Sequence, residues 1–362
     1  MPLQVKLFTV FFVILLLAIF DITRISLCAK RFQIFAVACL LIILAATRSV
    51  GTGSDDEAYL EIFSSISNSL PCSDLLCGYS YEKYNVEVGF FLLLLILSLI
   101  GSSAIWLFGA IATLTVTLNI KTINFFSPYL GSSVLVYFSH YYLAKDLNAI
   151  RAGAASALVF FVAVHLAREK YLLATFLFLI ALSFHITSLI FLMPLVLILL
   201  KPNKKHFMIG LVVVLAFSAS INISDLLSTV FNTSFLGEKF QSYVNSEQYS
   251  YSLYLFDQVN VKNLVLILIA LIFWEKLSMK FQHFHLVFCC FFASSSFRLL
   301  FSDFAIVAGR GYSVIGMFEF LLVPYLAFGI LGRALGLIAV VIYSFAILVL
   351  NLYVNTGWSN VL

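Results

Sequence analysis

Apolar runs close to bilayer length recur from one end of this sequence to the other. A spanning helix needs roughly 20 mostly apolar residues, each rising about 1.5 Å. Runs near that length lie at about 4–20, 32–47, 103–120, 128–145, 152–167, 171–184, 186–200, 206–222, 261–275, 284–300, 313–331 and 335–354. Of the 362 residues, 62% are hydrophobic and 10% charged, where soluble domains carry about 25% charged residues. The fold class implied is an all-α polytopic membrane protein, one transmembrane domain over 1–362 with about 12 spanning helices (range roughly 10–13). The run Leu7 to Phe20 has one upstream lysine, Lys6, and no A-x-A site after it, so it reads as a retained helix and not a signal peptide. Glu87 to Gly101 is also apolar but meets the next run through only "GSS". A re-entrant or interfacial helix near 87–101 accounts for it.

Lysine and arginine set the orientation. The segments "DITRISLCAKR", "NIKTIN", "REKY", "KPNKKH", "WEKLSMKFQ" and "GRA" hold twelve basic residues against three acidic ones. These belong in the cytoplasm, and the loops 48–86, 145–151, 223–260 and 301–312 on the other side. Two of the latter, 48–86 and 223–260, exceed the usual loop length of about 12–15 residues, which marks functional or disordered segments. The second is dense in Tyr, Ser, Asn and Gln, side chains that suit sugars and equally suit a solvated interfacial loop. Cys28, Cys39, Cys289 and Cys290 lie in or beside apolar runs and read as packing residues. Cys72 and Cys77 form C-x4-C in a polar loop, a spacing that allows a local disulfide in an oxidising compartment. A net charge of +4 is too small to suggest a nucleic-acid partner.

Three groups of residues carry chemistry. Arg48, Arg151, Arg298 and Arg310 sit at the outer mouths of spans. A guanidinium stays charged and its planar fork matches phosphate oxygens, so the four suit a lipid diphosphate at the bilayer edge. Anchoring to headgroups and pairing with local acids, such as Arg298 with Asp303, is the plainer reading. Asp55, Asp56, Glu57 and Glu61 follow Arg48, and Glu87 starts the re-entrant helix. A carboxylate in low-dielectric surroundings has a raised pKa and takes a hydroxyl proton. Alternatively Glu87 caps its helix and the Asp55 region is a solvated turn. His185 interrupts a nearly continuous apolar stretch, with Thr187 and Ser188 close by. It suits a proton carrier or phosphate donor, or a hydrogen-bonded structural role. His140 shares this ambiguity, His165 reads as structural, and Glu319 needs a partner inside the protein. Metal-ligand spacing, a P-loop, a dinucleotide fingerprint and a nucleophile elbow are all missing from the sequence. Chemistry here therefore needs an activated substrate and no cofactor.

Four stretches in order, "RSVGTGSDDEAYLEIF", "EVGFFLLLLILSLIGSS", "YFSHYYLAKDLNAIRAGAASALVFF" and "LIALSFHITSLIFLMPL", resemble the EpsG-like branch of bacterial polysaccharide polymerases, which includes Wzy O-antigen polymerases. The family shows an acidic GTD-x-x-Y segment, E-x-G-[YF] and [IM]-R-x-x-[IA]-A helix starts, and an F-H-x-[ST]-[AS]-L turn. The resemblance covers residues 45–200 and weakens at "AGRGYSVIGMFEFLLVPYL". "GTGSDDE" carries one residue and one aspartate more than the pattern, so the family's acid falls on Asp55 or Asp56. The resemblance implies a GT-C-like glycosyltransferase of the bacterial inner membrane. It would move a glycan from undecaprenyl diphosphate to another undecaprenyl-diphosphate-linked repeat unit at the periplasmic face, as in lipopolysaccharide assembly, with a chain-length regulator as partner. Asp55, Asp56, Glu87 and His185 would be catalytic, and Arg48, Arg151, Arg298 and Arg310 would bind the diphosphate. A lipid-linked glycan ligase or acyltransferase, or a flippase, are the rival readings.

Overall fold

The computed structural model describes residues 3–23, 27–70, 78–220, 253 and 255–353. Among them the helices are α1 (Leu3–Ile19), α2 (Leu27–Ala46), α3 (Asp56–Asn68), α4 (Tyr81–Tyr84), α5 (Val88–Ser98), α6 (Ala104–Phe126) and α7 (Leu130–Tyr137). A π-helix (Phe138–Asp146) continues α7, followed by α8 (Ile150–Ala167), α9 (Tyr171–Phe184), a 3-10 turn (Ile186–Phe191), α10 (Leu192–Leu200) and α11 (Lys204–Ser220). Then come α12 (Gln258–Ile272), α13 (Trp274–Lys280), α14 (Phe284–Leu300), α15 (Ala305–Ile315), α16 (Glu319–Leu331) and α17 (Arg333–Tyr353). Within the described residues, helix occupies each apolar run named above. Among the described residues five stretches are long and apolar enough to cross a membrane: Cys28–Ala46, Ala104–Phe126, Ile150–Ala167, Ala305–Leu331 and Arg333–Tyr353. Large apolar side chains face outward, including Phe32, Phe35, Leu172, Leu200 and Ile342, as expected where lipid replaces water. The chain is a multi-pass α-helical membrane protein.

Two compact units divide it, one formed by 1–189 with 319–362 and one by 190–318. In the first, α8 is the buried axis and packs on α6 and α9, while α6 packs on α2. Gly153, Ala154, Ala155, Ser156 and Ala157 are all buried. Small side chains let helices approach closely where lipid offers no hydrophobic drive. The helix α1 lies on α7, so close that a Cβ on Gly131 would stand 2.4 Å from the Leu17 carbonyl oxygen. The Asp21 carboxylate accepts from the Gly131 and Ser132 amides at 3.2 and 2.7 Å, satisfying donors that α7 cannot satisfy itself.

The π-helix is tethered by its own polar side chains. Tyr142 donates to the Leu41 carbonyl at 2.6 Å, Tyr137 donates to Asp146 at 2.7 Å, and His140 Nδ1 meets Glu319 Oε1 at 2.9 Å. Tyr343 also donates to Glu319, at 2.6 Å, so this fully buried acid has the partners its depth demands.

In the second unit α14 is central, against α10, α11, α12 and α15, with Phe207, Trp274, Phe288 and Phe292 clustered beside it. The stretch 301–312 reads in the sequence as a loop with Arg310 preceding the next span, but α15 begins at Ala305 and Arg310 is an exposed residue within it. Gly311 is a packing notch there: a Cβ would lie 2.1 Å from Phe297 Cε1. Cys289 and Cys290 are buried as packing residues, whereas Cys28 is exposed. Cys72, Cys77 and most of the 223–260 loop lie outside the described residues.

The two kinds of glycine predict opposite effects. Gly131→Ala forces a Cβ into backbone and should cost about 1–3 kcal/mol, read as a lower Tm in detergent. Gly309 faces open space within α15, so Gly309→Ala should gain a few tenths to about 1 kcal/mol from helix propensity. A Tm unchanged by Gly131→Ala would refute the close α1–α7 contact.

Candidate functional site

Four chain segments converge in the first unit. The helix α3 packs on α5, and α5 packs on α9. Gly89, the glycine of "EVG", makes the second contact possible, since a Cβ there would collide with Ser183 Oγ at 2.1 Å. Gly53 does the same for the "GTGSDD" loop, whose Cβ would lie 2.5 Å from the Leu147 carbonyl oxygen. Sequence positions far apart are thereby brought to one end of α8.

Glu87 is the N-terminal boundary residue of α5 but makes no capping hydrogen bond to it. Its carboxylate reaches across to α8 and to the turn after α9. Oε1 lies 3.0 Å from His185 Nδ1 and accepts from the Ile186 amide at 3.1 Å. Oε2 lies 3.1 Å from Arg151 Nη1, which also donates to the Asn85 carbonyl at 2.8 Å. Asn85 has a left-handed backbone, φ 51°, and this turns its carbonyl toward α8. Arg151 Nε is buried without a hydrogen-bond partner. Thr187 Oγ1 is equally unpartnered.

The electrostatics reverse one expectation. Burial raises the Glu87 pKa, but the hydrogen bond from His185 and the Arg151 charge outweigh it, and the carboxyl is held below its ordinary value. Glu87 is therefore an anion at neutral pH and a weak base. Burial, opposed by the bond to Glu87 and aided by Arg151 and Lys145, holds His185 below the ordinary imidazole value. A carboxylate only accepts, so Nδ1 of the neutral imidazole carries the proton and donates it to Glu87. That tautomer presents Nε2 as a proton acceptor.

Arg48 and Asp56 form a second, deeper pair. Arg48 Nη2 meets Asp56 Oδ1 at 2.8 Å, with both side chains buried. Asp56 also accepts from the Gly53 amide at 2.9 Å. Arg48 stacks 3.6 Å over Phe108 and donates to the Ala45 carbonyl at 3.0 Å. Asp55, by contrast, is exposed, and the Ser54 hydroxyl sits 3.2 Å from its Oδ1 and 3.0 Å from Asn148 Oδ1.

Sequence reasoning passed over Lys145, Asp146 and Asn148. Asp146 is fully buried and accepts from Thr115 and Tyr137. The signal was present as a charged pair, "KD", closing an apolar run. Arg298 and Arg310 belong to the second unit. Arg298 Nη2 pairs at 2.5 Å with Asp257, whose carboxylate also caps α12 through the Asn260 amide. Among the described residues no group of three or more His, Cys, Asp or Glu is placed to hold a metal.

A multi-pass helical membrane protein with buried charge pairs is an open description, and family comparison narrows it. Residues 31–362 match the model of the EpsG family. The protein belongs to that family. It is also similar to the amylovoran biosynthesis protein AmsC of Erwinia amylovora, 26% identical over 275 residues, which cover 75% of this chain and 72% of AmsC. No solved structure matches it.

Because both partners are buried, Arg48→Gln or Asp56→Asn alone should cost about 3–5 kcal/mol, the double variant less than the sum. Urea or thermal unfolding of the four proteins measures the coupling, and strict additivity would mean the pair does not form.

Proposed function

We propose that this protein is a membrane glycosyltransferase of bacterial polysaccharide biosynthesis, a polymerase of lipid-diphosphate-linked repeat units. The observation that carries the reading is the Glu87–His185–Arg151 cluster, a neutral imidazole with its Nδ1 proton held by a carboxylate and a guanidinium on the same carboxylate. The resemblance to polysaccharide polymerases and the similarity to a biosynthesis protein support it. In this reading twelve helices span the inner membrane in a GT-C-like arrangement. The cluster faces the periplasm, opposite the basic loops. Donor and acceptor are undecaprenyl-diphosphate-linked oligosaccharides.

The transfer balances with the residues at hand. His185 Nε2 takes the proton of the acceptor hydroxyl as its oxygen attacks the donor's anomeric carbon. The bond from that carbon to the diphosphate oxygen breaks, and the lipid diphosphate leaves with the electron pair. Its growing negative charge meets Arg151, whose unpartnered Nε is positioned before the reaction. The proton on His185 passes to water or to the leaving diphosphate. Glu87 orients the imidazole, Asp55 is placed to meet polar groups of a sugar, and Arg48 with Asp56 holds the loop in place. Arg298 and Arg310 are assigned to the diphosphate only if their variants behave as Arg151 variants do.

Purified variants and a lipid-diphosphate-linked repeat unit test this. His185→Gln should lower turnover by about 10²–10⁴-fold. Arg151→Lys keeps the charge without the fork and should be partly active, and Arg151→Ala nearly inactive at equal membrane level. The wild-type rate should fall on the acid side only as pH drops through a His185 pKa lying below about 6.5. Glu87 raises that pKa, so Glu87→Gln should move the acid limb to still lower pH while slowing the reaction. Full turnover in His185→Gln would remove the base from the scheme. In a strain lacking the protein, banded long-chain polysaccharide should collapse to a single repeat unit, whereas loss of even one capped unit favours a flippase or ligase.

A further inference from the structure

The opposite end of the same helices carries a second concentration of positive charge. Arg48, just past the end of α2, stacks on Phe108 near the start of α6, so these two helices run antiparallel. Lys121 lies some 13 residues, about 20 Å, further along α6. Arg151 opens α8 and Arg168 follows its last residue, about 25 Å away. Lys30 and Arg31 lie in the first turns of α2. One end of α2, α6 and α8 therefore holds the Glu87 cluster, and the other holds four cations.

Those cations line two adjoining cavities. One, of about 380 Å³, is bounded by Lys30, Arg31, Ile34, Ile120, Lys121 and Asn124. The next, of about 400 Å³, shares Lys121 and Asn124 and adds Phe125, Phe161, Val164 and Arg168. No acidic residue lines either cavity. Among the described residues Arg31, Lys121 and Arg168 have no carboxylate partner, and Arg168 is held by stacking 4.7 Å over the Phe125 ring. Lys30 lies within electrostatic reach of the Asp21 carboxylate. This differs from the other end, where Arg48 and Arg151 are both paired. The rest of the lining is apolar, and Phe35, on the face of α2 that Arg31 shares, is exposed.

We infer that these two cavities bind the phosphate headgroup of an anionic lipid in the leaflet opposite the Glu87 cluster. Unneutralised Lys and Arg at a helix end attract phosphate, and a volume of this size suits a headgroup. The apolar walls favour a lipid over free phosphate, because acyl chains continue along Ile34 and Phe161 where a soluble anion leaves apolar surface uncovered. This site is independent of the transfer reaction.

The test uses the full-length protein purified from nanodiscs of phosphatidylglycerol mixed with phosphatidylcholine, with bound lipid counted by native mass spectrometry. Wild type should retain phosphatidylglycerol over phosphatidylcholine. Arg31→Gln, Lys121→Gln and Arg168→Gln should each weaken retention about fivefold, and the triple variant by about a hundredfold, at roughly one fivefold step per cation. Arg31→Lys should keep it, which separates loss of charge from loss of fold. Arg333→Gln, removing an exposed cation that lines neither cavity, should leave retention unchanged. Equal retention in the triple variant, or an equal loss in Arg333→Gln, would overturn the site. Inorganic phosphate displacing the lipid at comparable concentration would overturn the lipid in favour of a free-phosphate site.

Discussion

The Glu87 carboxylate ties together elements that the chain delivers separately. One oxygen holds the turn after α9 through His185 and the Ile186 amide, and the other faces Arg151 at the start of α8. An acid at such a depth is tolerated only when its charge is answered, and here a guanidinium, an imidazole and an amide answer it. The same contacts decide its chemistry. Ionised and held below its ordinary pKa, Glu87 is poorly suited to take a proton itself. In the proposed transfer it supports His185 by fixing the tautomer, the division of labour in which a carboxylate orients an imidazole base.

Convergence of these segments depends on missing side chains as much as on present ones. Gly89 lets α5 touch α9 and Gly53 lets the acidic loop sit on the turn at Leu147 and Asn148. Gly153 brings α8 against the end of the π-helix, where a Cβ would stand 3.1 Å from the Lys145 carbonyl oxygen. The short motifs around Glu87 and Arg151 thus have two halves with different physical jobs. The charged residue supplies the contact, and the glycine two positions later supplies the approach that makes the contact reachable.

The apolar runs were legible because helix length and bilayer thickness constrain each other, and within the described residues each run carries helix. Boundaries were less legible, as at α15, which begins at Ala305 inside the stretch 301–312 that reads as a loop, because its first turns carry no continuous apolar run. Charges at helix ends stood out, but their pairing did not. Arg48 with Asp56 is eight residues apart in sequence, whereas His185 with Glu87 is 98 residues apart, and only the fold joins the latter. Asp146 was hidden because a Lys-Asp pair at the end of an apolar run looks like a solvated loop. Its burial follows from the wider turn of the π-helix and from Thr115 and Tyr137, neither of which announces itself as an acid's partner.

The two ends of α8 show how one residue type is put to different uses. At its start Arg151 is held by an acid and a backbone carbonyl, so its position is fixed and much of its charge is balanced in the resting state. In the proposed transfer the donor diphosphate is already anionic, and such an arginine contributes to rate through the further negative charge that appears as the glycosidic bond breaks. At its end Arg168 rests on an aromatic ring, which orients the guanidinium without neutralising it. That arrangement favours a permanent anion at all times. Under the two proposed roles, the leaving-group arginine at one end of α8 is held by a carboxylate, and the headgroup arginine at the other rests on an aromatic ring with no carboxylate along the cavities.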